Sequence, residues 1–168
     1  PCCDLKQLCE GSSCPSTDVT GITTFSNTNQ YVELGTPREL GVYYESFTMM
    51  AWIKSADDAW GNECIFCGGD DGTSAGMHIL TTAGERGNVF GMTNNDCDVG
   101  TNPPVNGWVH VAYTFDRDTS TMKVYWNGAL KKVCTDKDPY AGIDPLYVGG
   151  GPPQTTNIFH GEMAGVGV

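Results

Sequence analysis

Three short acidic groups fall in stretches that read as loops: Asp57-Asp58, Asp70-Asp71 and Asp96-Cys97-Asp98. Calcium takes several oxygen ligands from flexible loops, so it is the cofactor these groups suit. Asp70 and Asp71, inside a Gly-rich turn, are the candidate ligands for a single ion. No loop follows the EF-hand spacing, since counting from Asn94 puts Val99 at the position that needs glycine. Gly72-Thr73-Ser74-Ala75-Gly76 spells Gly-x-Ser-x-Gly, but a nucleophile elbow needs a helix after the serine, and Met77-His78-Ile79-Leu80 reads as a strand. Cys64-Ile65-Phe66-Cys67 spells Cys-x-x-Cys, which as a redox motif would open a helix; here it also reads as a strand. Residues three apart on a strand face opposite ways, so these two cysteines are expected to pair with two different partners. His78, His110 and His160 are scattered along the chain and read as packed or surface residues. No residue is assigned a catalytic role.

The elements that must position these groups are strands. Val109, Val111, Tyr113 and Phe115 alternate with Trp108, His110, Ala112 and Thr114. A turn at 116–119 leads into Met122, Val124 and Trp126. Asn127-Gly128 then supplies a type I′ hairpin turn, whose two central residues need positive φ. Leu130 to Cys134 returns as a third strand. Short strands are also predicted at 22–25, 30–34, 46–54, 63–67, 77–82, 88–93, 146–149 and 159–168. In 46–54, Phe47, Met49, Ala51 and Ile53 form one face and Thr48, Met50 and Trp52 the other, both apolar enough to be covered. Residues 94–106 read as a long polar loop. Trp60, Trp108 and Trp126 are expected in the core or at its edges. Many short strands separated by turn signals make an all-β sandwich or barrel, and no window carries helical periodicity over three turns.

The chain of 168 residues suits one domain with a core. Its net charge of −11 excludes a phosphate-backbone partner such as nucleic acid and is compatible with calcium or neutral sugars. No apolar run reaches membrane-spanning length, so membrane insertion is not expected. The eight cysteines, Cys2, Cys3, Cys9, Cys14, Cys64, Cys67, Cys97 and Cys134, form an even set that suits disulfides and an extracellular or cell-surface protein. Their pairing stays open, because eight cysteines allow roughly a hundred connectivities. Half of them lie within residues 1–18, a segment with too little apolar material for a core. This short disulfide-rich N-terminal arm either packs on the main domain, residues 19–168, or links it to a neighbour.

The segments TGITTFSNTNQYVELGTP, ESFTMMAWIKS, NGWVHVAYTFDRDTSTMKVYWNGALKK and PLYVGGG with FHGEMAGVGV resemble the concanavalin A-like lectin/glucanase superfamily, and within it the laminin-G-like and pentraxin-like group. The most specific pieces are Phe47-Thr48 with Ala51-Trp52-Ile53, and Gly107-Trp108-x-His110-x-Ala112 with Tyr125-x-Asn127-Gly128. The resemblance implies a two-sheet antiparallel jelly roll over residues 19–168. It also implies a non-catalytic extracellular recognition or adhesion module that binds glycan or protein ligands. Some branches are glycosidases, but their Glu-x-Asp-x-(x)-Glu strand is missing: Asp116-Arg117-Asp118 lies in a turn and Asp136-Lys137-Asp138 has no following Glu. The pentraxin inter-strand disulfide is also missing, with Met50 and Ala112 at those positions, and Gly149 to Gln154 stands where the pentraxin calcium loop would be. The competing expectation is a structural subunit of an extracellular filament or coat, a homopolymer assembled through the cysteine-rich arm or the terminal strands.

Overall fold

Alternation of apolar and polar residues decides most of the architecture. The computed structural model describes residues 16–17, 21–26, 30–57, 59–68, 75–152 and 157–168. Among these there are thirteen strands: β1 Ser16–Thr17, β2 Thr23–Phe25, β3 Val32–Gly35, β4 Phe47–Ser55, β5 Glu63–Gly68, β6 Met77–Thr81, β7 Val89–Met92, β8 Cys97–Asp98, β9 Val109–Asp116, β10 Thr121–Trp126, β11 Ala129–Cys134, β12 Leu146–Val148 and β13 Gly161–Gly167. They form a seven-stranded antiparallel sheet ordered β1-β2-β13-β4-β9-β10-β11 and a six-stranded one ordered β3-β12-β5-β6-β7-β8. The expected two-sheet, all-β jelly roll is therefore what the chain adopts. The predicted meander is β9-β10-β11, with Asn127 at φ 48° and Gly128 at φ 77° making its tight turn.

The core lies between the sheets. Met49, Ala51 and Ile53 of β4 pack there with Val111, Tyr113 and Phe115 of β9 and with Phe66, Ile79 and Phe90 of the facing sheet. Asn88, fully buried, is its polar node. Its Nδ2 donates to the Leu80 carbonyl at 3.0 Å and to the Tyr113 hydroxyl at 2.9 Å. Its Oδ1 accepts from Trp126 Nε1 at 3.1 Å and lies 3.1 Å from the same hydroxyl. One amide thus ties the approach to β7 to two strands of the opposite sheet. Burial pushes the Tyr113 phenol above its ordinary range, against the Asn88 hydrogen bond that lowers it.

Three sequence expectations change. The outer side of β4 is not covered: Met50 is 41% and Trp52 43% exposed. By contrast β5, β7 and β12 of the six-stranded sheet are buried along their whole length, so these strands are covered on both faces. The polar loop 94–106 contains a short strand, β8, paired to β7. Trp60 and Trp126 are buried, Trp60 donating from Nε1 to the Pro103 carbonyl at 2.6 Å, and Trp108 is half-buried, in keeping with the expectation of core or edge positions. Finally, Cys64 and Cys67 do not seek separate partners; they bond to each other. The β5–β6 register slips between Cys64 and Phe66, leaving Ile65 as an extra residue. This bulge turns the two cysteines to one side and brings their Cα atoms to 6.0 Å, where a regular strand would hold them roughly 10 Å apart. The second disulfide, Cys97–Cys134, joins β8 to β11, the outermost strands of the two sheets, and clasps that side of the sandwich. Cys2, Cys3, Cys9 and Cys14 lie outside the described residues.

Candidate functional site

The outward face of the seven-stranded sheet is built in rows set by register. Thr24, Glu162 and Lys54 are paired across β2, β13 and β4. The next row carries Ala164, Trp52 and His110, and the one after it Gly167, Met50, Ala112 and Tyr125. The Trp52 indole meets the His110 ring edge-on at 5.3 Å between centroids. Lys54 Nζ lies 2.6 Å from Glu162 Oε2 and 6.0 Å from the centre of the Trp108 ring. Two indoles thus flank a charged pair, and beyond them Leu130 and Val133 of β11 are exposed at 53% and 44%.

At one end this face opens into a cleft of about 610 Å³, lined by Ser26, Lys54, Asp57, His160 and Glu162 among others. Gly161 makes the cleft possible. At φ 147° it lets β13 run against β4, and a Cβ there would collide with the Lys54 carbonyl. Asp57 follows the end of β4, His160 precedes β13, and Glu63 opens β5. One ligand atom from each lies within 4.8 Å of the others. Asp57 and His160 line the cleft, whereas Glu63 is buried behind them and is not among the residues that line it. Glu63 Oε2 accepts a long 3.5 Å hydrogen bond from the His160 amide.

Burial raises the Glu63 carboxyl above its ordinary value; the His160 and Gly61 amides and the His160 charge oppose this, and Asp57 adds to it. With the folded value raised, ionisation costs stability as pH climbs past the unfolded value near 4.5. Glu63→Gln is therefore expected to melt higher than the parent at pH 8 in metal-free buffer, with the gap closing below pH ~4.5. A gap that is constant across pH, or opens on the acid side, would contradict this origin.

The third acidic loop has a different role. His78 Nε2 meets Asp96 Oδ1 at 2.8 Å, and Arg86 bridges Asp96 and Asp98. Burial alone would raise the Asp96 carboxyl, but His78 and Arg86 overcome it and hold the carboxyl below its ordinary value. Gly91 leaves the space this needs, since a Cβ there would overlap the His78 ring. Asp96 and Asp98 are thus engaged by protein cations, beside the Cys97–Cys134 clasp. Asp70, Asp71 and Asp58 lie outside the described residues. The Asp57/Glu63/His160 group escapes sequence reading because Glu63 and His160 stand almost a hundred positions apart; the only signal was Asp57 itself, in an acidic pair.

A family model of the concanavalin A-like lectin/glucanases superfamily, of its laminin G type, matches residues 26–168. No curated protein matches the chain by sequence. Among solved structures, domain 4 of AbnA, a GH43 extracellular arabinanase from Geobacillus stearothermophilus, in complex with arabinotriose, is similar with a TM-score of 0.67 at 14% identity; the match covers 92% of this chain and 76% of that one. The CBM40 of the Ruminococcus gnavus IT-sialidase, bound to α2,3 sialyllactose, gives 0.55 at 15% identity over 80% and 87% of the two chains. Domains LG4-5 of the mouse laminin alpha1 chain give 0.56 at 11% identity over 73% and 34%. At these identities the likeness is one of fold. With the family model spanning most of its length, the chain belongs to the concanavalin A-like lectin/glucanases superfamily, as a jelly-roll domain of the laminin G type.

Proposed function

We propose that this domain is a non-catalytic extracellular carbohydrate-binding module that docks a glycan on the outer face of its seven-stranded sheet. The observation that carries the reading is Trp52, 43% exposed in the middle of that sheet. A large aromatic side chain left open on a rigid strand is a platform for the apolar face of a sugar ring. Lys54, Glu162 and Thr24 lie one row along, where charged and hydroxyl groups can meet sugar hydroxyls. The glycans named with two of the similar structures, arabinotriose and sialyllactose, support this class of ligand. The carboxylates of Asp57 and Glu63 do not make it a hydrolase in this reading, because Glu63 is buried behind the cleft and cannot reach a bound glycosidic oxygen. The disulfides among the described residues, which persist in oxidising surroundings, support extracellular placement.

The test is a glycan array, followed by calorimetry of the best ligand with the parent and with Trp52→Ala. Arabinan oligosaccharides and sialyllactose would be included as probes. The variant is expected to bind about tenfold more weakly or worse, because a central aromatic anchor carries a disproportionate share of affinity. Its melting temperature should barely move, since the indole is half in solvent. Equal affinity of the two proteins, or no glycan bound by the parent, would sink the reading.

A further inference from the structure

We propose that Asp57, Glu63 and His160 form a binding site for a divalent transition metal of the zinc class at the floor of the cleft. The three residues come from separate segments, and one ligand atom of each lies within 4.8 Å of the others, close enough to share one ion. Zinc is held by imidazole nitrogen and carboxylate oxygen at roughly 2.0–2.2 Å, which sets two ligands of one ion about 3–4 Å apart, so modest side-chain rotations draw these three atoms onto an ion. The donor set is one nitrogen and two carboxylates. Calcium prefers an all-oxygen shell of six or more, whereas imidazole favours zinc and its neighbours.

The second observation is Glu63. It is 3% exposed, its carboxylate points into the cluster, and no Lys or Arg pairs with it among the described residues. Burying a carboxylate without a cation is costly, and the amides of His160, at a long 3.5 Å, and of Gly61 compensate for it only in part. A divalent ion between Glu63, Asp57 and His160 supplies the missing charge. No side-chain hydrogen bond holds either ring nitrogen of His160 among the described residues, which leaves the imidazole available as a ligand. Three protein ligands leave a fourth position, and it faces the cleft that Asp57 and His160 line. Thr24, Lys54 and Glu162 of the proposed glycan face line the same cleft, but none of the three ligands belongs to that reading, and the site can be tested with no glycan present.

The experiment uses the full chain, oxidised and stripped with a chelator. Zinc chloride and calcium chloride are titrated separately by calorimetry, and melting is followed with each ion. Cobalt(II) serves as a spectroscopic probe of the donor set. The expected result is one zinc per chain, a rise in melting temperature with zinc, and calcium binding at least about tenfold more weakly. His160→Ala and Glu63→Gln should each weaken zinc at least about tenfold. Melting of each variant in metal-free buffer is recorded first, so that a lost response to zinc is read only from folded protein. The cobalt spectrum should lack a thiolate charge-transfer band. Zinc affinity unchanged in both variants, calcium bound more tightly than zinc, a thiolate band, or no zinc bound would each overturn the site.

Discussion

Asn88→Ala is expected to lower the free energy of unfolding by about 3–5 kcal/mol, the largest effect of any single substitution considered. The amide accepts from Trp126 Nε1 and bonds the Tyr113 hydroxyl, both buried between the sheets. Truncation strands these two polar groups and also removes the donor to the Leu80 carbonyl. A buried polar group without a partner costs about 1–3 kcal/mol, and three such groups are affected. Urea denaturation measures the loss. A loss of less than about 1 kcal/mol would mean that water or repacking replaces the amide, and that Asn88 does not join the sheets as described.

The two disulfides among the described residues should differ in a way that separates topology from burial. Cys97–Cys134 closes a loop of 37 residues, Cys64–Cys67 one of 3. In the chain-entropy account the long loop is worth about 4 kcal/mol and the short one about 2. The double variant Cys97→Ser with Cys134→Ser is therefore expected to lose roughly twice the stability of Cys64→Ser with Cys67→Ser. All four side chains but Cys134 are fully buried, so burial alone predicts the opposite ranking. Guanidinium denaturation of both double variants decides it. Equal losses, or a greater loss for the short loop, would show that Cys97–Cys134 is not the main clasp.

Period-two alternation made the fold legible. Val109 to Phe115 and Phe47 to Ile53 announce strands with one inward face, and Asn127-Gly128 marks its turn because few other pairs tolerate positive φ twice. What alternation cannot say is whether anything lies over the second face. Met50 and Trp52 read as coverable and stand open, while β5, with no alternation at all, is covered on both sides. Nor does a bulge announce itself: the extra residue at Ile65 reverses the facing of Cys64 and Cys67, and nothing in Cys-Ile-Phe-Cys marks it. The candidate site was the least legible part. Asp57, Glu63 and His160 meet only because β13 lies beside β4 and the chain crosses to β5 from the same end, a proximity created by topology. Asn88 reads only as the first residue of the predicted strand 88–93, and nothing in the sequence marks it as the polar node that Tyr113 and Trp126 share.

The strand that ends the meander has a consequence for how copies of this domain meet. β11 is the outermost strand of its sheet, and its residues 129–133 are exposed. An open edge of this kind is a template for aggregation, since an incoming backbone can continue the ladder. Here the edge carries Lys131 and Lys132, is irregular in its pairing with β10, and is pinned at Cys134 to the neighbouring sheet. A second copy adding there would bring two ammonium groups against its own and would have to follow a kinked ladder. Such features keep β-sheet edges from growing. Growth of the sheet from one copy to the next along β11 is thereby disfavoured.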